Sequence, residues 1–223
     1  MRGAQEIAAL DYAHDPVRHI PVGRTIFDQG TPADYIYIVQ SGWVSLDQTS
    51  PDGKAVILGF ALPGDVLSFG RHTKVYTASG VALDNVAVCP IHISSQERLE
   101  RSHPAYDALH RRVLGRALDA AEANLADLLC GRTAHERIAH LLWSLAFRSL
   151  HRPPLESDSV PVPISQIQIG LATGMTPVHV SRTLRSLREE RLLDFDHHMI
   201  KIRNRAQIEW LARAPLPRIE SFP

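Results

Sequence analysis

Between about residue 20 and residue 92 the apolar positions come in short β-branched or aromatic runs. These are Tyr35-Ile36-Tyr37-Ile38-Val39, Trp43-Val44-Ser45-Leu46, Ala55-Val56-Ile57-Leu58 and Val86-Ala87-Val88. Turn chemistry separates them, at Gly30-Thr31-Pro32, Ser41-Gly42, Pro51-Asp52-Gly53-Lys54 and Pro63-Gly64-Asp65. Gly42, Gly53 and Gly64 fall eleven residues apart. Short strands at even spacing with glycine turns predict a sandwich, barrel or roll.

After about residue 95 the period changes to a helical one. Ser94 or Ser95 is expected to cap a short helix starting near Gln96, and Pro104 to open a longer one. Along the longer helix Leu114, Leu118, Ala121, Leu125 and Leu128 alternate by four and three, between charged flanks. That narrow stripe is the seam of a coiled coil and predicts pairing with a second copy. Packing on the chain's own β-domain stays open as the alternative. Gly131 is expected to end the helix as a hinge. A further helix carries Ile138, Leu141, Leu142, Leu145 and Ala146 on one face, and a proline-studded loop spans His151 to Pro163.

The most specific pattern lies in residues 162–203. Ser165 followed three residues later by Gln168 is a capping box, opening a short helix through Ile169, Leu171 and Ala172. Gly174 ends it, and Gly170 allows close approach of its successor. Thr176 and Pro177 start a second helix, in which Val180, Leu184 and Leu187 are expected to be buried. Its outer face would carry Val178, His179, Ser181, Arg182, Arg185 and Arg188. Two helices joined by a glycine turn predict a helix-turn-helix, and a cationic outer face suits a helix entering the major groove. Asp194 to Arg203 alternates around Asp196-His197-His198, as a hairpin wing would, with Lys201, Arg203 and Arg205 near the phosphate backbone. The competing interpretation is an amphipathic helix pair with a solvated arginine face.

Charge sharpens this picture. The 223 residues have a formal net charge of zero, with 24 basic and 24 acidic side chains. Residues 132–223 carry a balance of +4 and residues 1–131 a balance of −4. Only the back part is thereby suited to a polyanion. The two cysteines, Cys89 and Cys130, form no metal-ligand spacing. No apolar run approaches the roughly 20 residues of a membrane span, and Met1 to Leu10 lacks a signal pattern, so the expectation is a cytoplasmic protein without membrane contact. No GxSxG, HExxH or phosphate-cradling glycine loop occurs, so no enzyme is expected.

The chain resembles the CRP/FNR superfamily of bacterial transcription regulators along nearly its whole length. The residues that carry the likeness are Gly23-Arg24-Thr25-Ile26-Phe27, Gln29-Gly30, Tyr35–Val39 with Ser41-Gly42, Leu62-Pro63-Gly64-Asp65, Arg137-Ile138-Ala139 and Ile164–Leu187. The resemblance implies an α+β protein: an N-terminal jelly-roll-like β-roll sensor over 1–103, a long dimerisation helix and hinge over 104–131, and a C-terminal winged helix-turn-helix over 132–223. It implies a homodimer on an inverted-repeat site in double-stranded DNA. The DNA-contacting set would be Ser165, Gln166, Thr176, Val178, His179, Ser181, Arg182, Arg185, Arg188 and Lys201, with RNA polymerase as a further partner of an activator. A signalling module whose C-terminal domain docks a protein is the alternative.

Departures from the family pattern bear on the signal. Cyclic-AMP-binding members carry a Gly-Glu pair where this chain has Leu67-Ser68-Phe69-Gly70, and an Arg where it has Tyr76 of Tyr76-Thr77-Ala78. The adenine-facing Thr-Ser pair aligns with Glu122-Ala123. A cyclic phosphate calls for a cation, so the loss of both the Arg and the Glu argues against cyclic AMP, with Arg71 as the alternative cation. An effector pocket would be lined by Phe69, Arg71, Tyr76, Thr77 and Glu122, its ligand unknown. The N-terminus has no cysteine group for an iron–sulfur cluster, and no metal site is expected. Haem stays open, with His14, His19, His72 and His92 as candidate ligands, and so does a redox role for Cys89 or Cys130. At the DNA-reading helix, Arg182 keeps the family's arginine position, whereas Val178 stands where many members have Glu. Arg182 is expected to meet guanine, and Val178 a thymine methyl.

Overall fold

The computed structural model describes residues 15–67, 74–95, 115 and 133–212, and the chain divides into two compact units. Up to residue 92 the described part of the first unit is all-β. Its strands are β1 Arg18–Ile20, β2 Thr25–Phe27, β3 Tyr35–Ser41, β4 Val44–Thr49, β5 Ala55–Ala61, β6 Val66–Leu67, β7 Ser79–Ala82 and β8 Val86–His92. They form two four-stranded antiparallel sheets, ordered β1-β8-β3-β6 and β2-β7-β4-β5.

Alternation along the strands builds the core between the sheets. Tyr37, Val39, Leu67, Val86 and Val88 of one sheet meet Phe27, Val44, Leu46, Ala61 and Ala82 of the other. The intervening residues Ile36, Ile38, Cys89 and Ile91 form a second buried cluster on the opposite face of the first sheet. A sheet buried on both faces explains why β3 is a continuous apolar run and not an alternating one. Pro90 sits inside β8, where its carbonyl accepts from Asp15 N–H on the side that β1 occupies farther along. Its missing donor falls beyond the last β1 partner and breaks no ladder bond.

All three evenly spaced glycines adopt positive φ: 80° at Gly42, 82° at Gly53 and 94° at Gly64. At Gly42 the requirement is also steric. A Cβ there would stand 2.5 Å from Asp84 Oδ1 and 2.7 Å from the Asn85 carbonyl oxygen. The same Asp84 oxygen accepts from the Trp43 N–H at 2.8 Å, closing the turn into β4.

One expectation fails at the end of β8. Helical structure begins at 93, so Ser94 and Ser95 lie inside the helix and do not cap it. The acceptor comes from His92, whose Nδ1 receives the Ser94 N–H at 3.2 Å. The expected long helix from Pro104, its seam and the Gly131 hinge lie outside the described residues, apart from Gly115, which is helical and exposed.

The second unit comprises helices α1 Ala134–Leu150, α2 Gln166–Thr173, α3 Pro177–Glu189 and α4 Arg205–Ala212, with strands β9 Ser159–Pro161, β10 Leu193–Asp196 and β11 Met199–Ile202. A capping box between Thr133 and Glu136 starts α1. Its buried face differs from the one the sequence suggested: Ala139, Trp143 and Phe147 join Ile138, Leu142, Leu145 and Ala146, whereas Leu141 is only half-buried. The region 151–163, expected to be loop, contains β9, which makes the wing a three-stranded sheet ordered β10-β11-β9. Helix α4 packs on α1, and His140 Nδ1 donates to the Ala212 carbonyl at 3.1 Å. Among the described residues no helix is long and apolar enough to cross a membrane.

Candidate nucleic-acid interface

Local chemistry sets both ends of α2. Ser165 Oγ accepts from Gln168 N–H at 3.2 Å, and Gln168 Oε1 accepts from Ser165 N–H at 2.7 Å. Gly174 closes the helix at φ 69°. Met175 N–H then bonds to the Gly170 carbonyl at 2.9 Å. Gly170 is where the two helices meet. A Cβ on it would fall 2.6 Å from the Met175 carbonyl oxygen and 3.6 Å from Val180 Cγ2.

Thr176 caps α3, accepting from His179 N–H at 3.3 Å, with Pro177 in the first turn. Val180, Leu184 and Leu187 are buried as expected. Thr183 is buried with them, a polar residue that sequence reasoning missed. Its hydroxyl donates back to the His179 carbonyl at 2.9 Å, so it enters the core with its donor satisfied. The helix ends in a Schellman motif: Leu192 N–H bonds to Leu187 O, and Arg191 N–H to Arg188 O, both at 2.9 Å. Arg191 occupies the left-handed position, φ 54°, where glycine is usual.

Val178, His179, Ser181, Arg182, Arg185 and Arg188 all lie exposed on α3, Val178 with 62% of its surface open. Gln166, Thr176 and Lys201 are also exposed, and Ser165 is half-buried. Among the described residues Arg182, Arg185 and Lys201 make no ion pair. Arg188 is different: its Nε lies 3.4 Å from Asp194 Oδ1. Arg203 donates to Asp194 Oδ2 through Nε at 2.9 Å and Nη2 at 2.7 Å. Arg205, expected near the phosphate backbone, heads α4 with its Nε 3.6 Å from Glu209 Oε2.

The wing turns on His197 and His198, at φ 46° and 59°. Two successive positive φ values make the type I′ geometry that suits a two-residue hairpin. His198 Nδ1 donates to the Ile164 carbonyl at 2.9 Å, and Val162 N–H to the His198 carbonyl at 2.8 Å. The wing tip is thereby tied to the residues that lead into α2.

In the β-roll unit, Tyr76 is buried in the core between the sheets. Its ring stacks on Phe27 at 4.3 Å, and Phe27 stacks on Tyr37 at 5.6 Å. The Tyr76 hydroxyl donates to the Tyr35 carbonyl at 2.7 Å. Burial, followed by the nearby Tyr37, pushes its phenol far above the ordinary value. Thr77 is half-buried, its carbonyl accepting from Gln48 Nε2 at 3.0 Å. Phe69, Arg71 and Glu122 of the expected pocket lie outside the described residues, as do Leu114, Leu118, Ala121, Leu125, Leu128, His14, His72 and Cys130. His19 and His92 are exposed; His92 meets Tyr35 edge-on. Cys89 is buried, and burial pushes its thiol pKa up, the opposite of what a reactive thiolate needs.

The family described as Cyclic nucleotide-binding domain matches residues 17–102, and the Crp-like helix-turn-helix domain matches residues 136–210. FixK, the nitrogen fixation regulation protein of Bradyrhizobium diazoefficiens, is 32% identical over 88% of this chain and 81% of its own. This chain belongs to the CRP/FNR family. Transcriptional activator protein FnrA of Stutzerimonas stutzeri is 27% identical over 89% of this chain and 81% of its own. The solved structure of FixK2 from Bradyrhizobium japonicum superposes with a TM-score of 0.78 at 26% identity, covering 90% of this chain and 98% of that one. This CRP/FNR member is therefore a DNA-binding transcription regulator with a cyclic-nucleotide-binding-type β-domain, not an enzyme.

Proposed function

We propose that this CRP/FNR regulator acts as a homodimer on an inverted-repeat duplex site, laying α3 into the major groove of each half-site. The observation that carries the proposal is the outer face of α3, where Arg182 and Arg185 are exposed and hold no ion pair among the described residues. Neither has to break an ion pair with a described residue before it meets nucleic acid. Arg182, at the family's arginine position, reads guanine through O6 and N7, and Val178 touches a thymine methyl. Arg185 and Lys201, with the polar groups of Ser165, Gln166, Thr176, His179 and Ser181, hold phosphates or nearby base edges. The seam from Leu114 to Leu128 pairs with its copy and sets half-site centres about 34–36 Å apart. The FnrA relative is named a transcriptional activator; by extension this chain activates transcription with RNA polymerase as its partner.

The β-roll is proposed to respond to something other than cyclic AMP, or to nothing. A neutral phenol at Tyr76 offers no charge to a cyclic phosphate, and its hydroxyl is already committed to the Tyr35 carbonyl. No haem or iron–sulfur cluster forms part of the proposal.

The test is selection of binding sequences from a random duplex library with the full-length protein, followed by a salt titration. The expected result is a palindrome with a guanine in each half-site and affinity that falls steeply with salt. Enrichment of an unrepeated single site overturns the dimer. Saturable calorimetric binding of cyclic AMP overturns the assignment of Tyr76.

A further inference from the structure

One carboxylate joins the reading helix to the wing. Asp194, on β10, has 20% of its side chain exposed and gives one oxygen to each of two arginines. Arg203, just after β11, grips Oδ2 with two nitrogens, and Arg188, in the last turn of α3, approaches Oδ1. Leu193 and Phe195, on the opposite face of β10, are buried, so the carboxylate stands on a backbone that the core holds still.

We propose that Asp194 is a specificity-determining positioning residue, which locks α3 against the wing and withholds Arg188 and Arg203 from sequence-independent phosphate binding. The inference rests on the reading that α3 and the wing face DNA. Both arginines have about half of their side chains exposed, 53% and 49%. Without Asp194 they would be mobile cations beside the groove. Free cations raise affinity for every duplex alike, because phosphates carry no sequence. Asp194 also sets a negative charge beside the contact face, which weakens approach to a phosphate backbone in any register. Lys201 stands opposite Asp194 in the hairpin without pairing to it, which leaves Lys201 available for a backbone contact.

A merely structural role gives the opposite sign. Loosening the wing would lower affinity for all duplexes, whereas releasing two arginines raises it for the wrong ones.

The experiment measures equilibrium binding of full-length Asp194→Asn to a duplex enriched from the random library and to a scrambled duplex of equal length and composition, across a salt series. Scrambled-duplex affinity should rise severalfold, and the salt slope should steepen by about one to two, at about 0.9 per phosphate gained. The ratio of enriched to scrambled affinity should fall. Adding Arg188→Gln and Arg203→Gln to Asp194→Asn should return the slope to wild type. The pairing with Asp194 takes Arg188 out of the DNA-contacting set that the family resemblance implied, so Arg188→Gln alone should leave the wild-type slope unchanged, however the triple variant folds; a slope shallower by about one returns Arg188 to that set and overturns the proposal. Unchanged slope and ratio in Asp194→Asn, or joint loss of both affinities, overturn it too. If the wild type enriches a site and only these variants fail, this inference alone falls. A wild type that binds no duplex overturns the DNA-facing reading and this inference with it.

Discussion

Gly170 of α2 faces the Met175 carbonyl so closely that a single methyl group cannot be placed between them; a Cβ would stand 2.6 Å from that oxygen. The oxygen is backbone and cannot swing aside, so any side chain at 170 must push α3 away from α2. Gly170→Ala should destabilise the second unit by about 1–3 kcal/mol, as overpacking does. Urea unfolding would read the loss. Specific DNA affinity should fall with it, because the angle between the helices sets which residues reach the groove. An unchanged unfolding midpoint would mean that the turn yields without cost.

Arg182 and Arg185 are both exposed and unpaired among the described residues, yet they should behave differently. Arg182→Ala should cost ~1–3 kcal/mol and relax preference at one base position, whereas Arg185→Ala should weaken all duplexes alike and reduce the salt slope by about 1. Equal losses on every sequence for Arg182→Ala would demote it to a phosphate contact.

The Tyr76 hydroxyl bonds to the Tyr35 carbonyl while its ring stacks on Phe27. Tyr76→Phe keeps the stack and removes the bond, so it should cost about 0.5–1.5 kcal/mol, plus any penalty for a carbonyl left without that donor. Thermal unfolding of the full chain measures it. No loss at all would show that this hydroxyl bond adds nothing to holding the β-roll closed.

Asp158 accepts from Arg152 and from the Leu155 N–H, and these bonds hold its pKa down to about 2. The folded value is depressed, so the stabilisation is fully present above the unfolded value, roughly 3.9. It is lost as pH falls from there through about 2. Asp158 has only 15% of its side chain exposed, but Arg152 is about half exposed, so solvent screening keeps the effect small. Arg152→Gln should lower stability slightly at neutral pH, flatten the fall between those two pH values, and leave the profile below about pH 2 unmoved. Identical acid limbs for wild type and variant would remove the pair from the account.

Arg191 takes φ 54° in the Schellman motif that ends α3. A left-handed conformation costs an L side chain ~1–2 kcal/mol, and glycine avoids most of that. Arg191→Gly should therefore raise the unfolding midpoint. A lower midpoint would point to a stabilising role for the Arg191 side chain that outweighs the strain.

Much of the DNA-binding unit was legible because its signals are local. Ser165 and Gln168 are three residues apart, and Thr176 precedes Pro177, so each helix start is encoded within one turn. Strand β9 was not legible. Ser159-Val160-Pro161 holds one apolar residue between a serine and a proline, and only its pairing with Met199, Ile200 and Lys201 makes it a strand. The helix start after β8 was missed for a related reason: His92 provides the acceptor that a serine was expected to supply. Thr183 was overlooked because a threonine on an apolar stripe looks polar until its hydroxyl is seen bonded to the preceding turn.

By itself the sequence determined the apolar runs of β3, β4, β5 and β8, the caps of α2 and α3, the glycine turns and the cationic outer face of α3, since periodicity and capping act over a few residues. Only the tertiary structure decided which of those cations are free. Arg188 lies on α3, Asp194 on β10 and Arg203 just after β11, and their charges meet because the chain reverses at Arg191 and again at His197-His198. Charge pairing depends on distance through space, and that distance exists only after Leu193, Phe195, Ile200 and Ile202 have packed the hairpin onto its core.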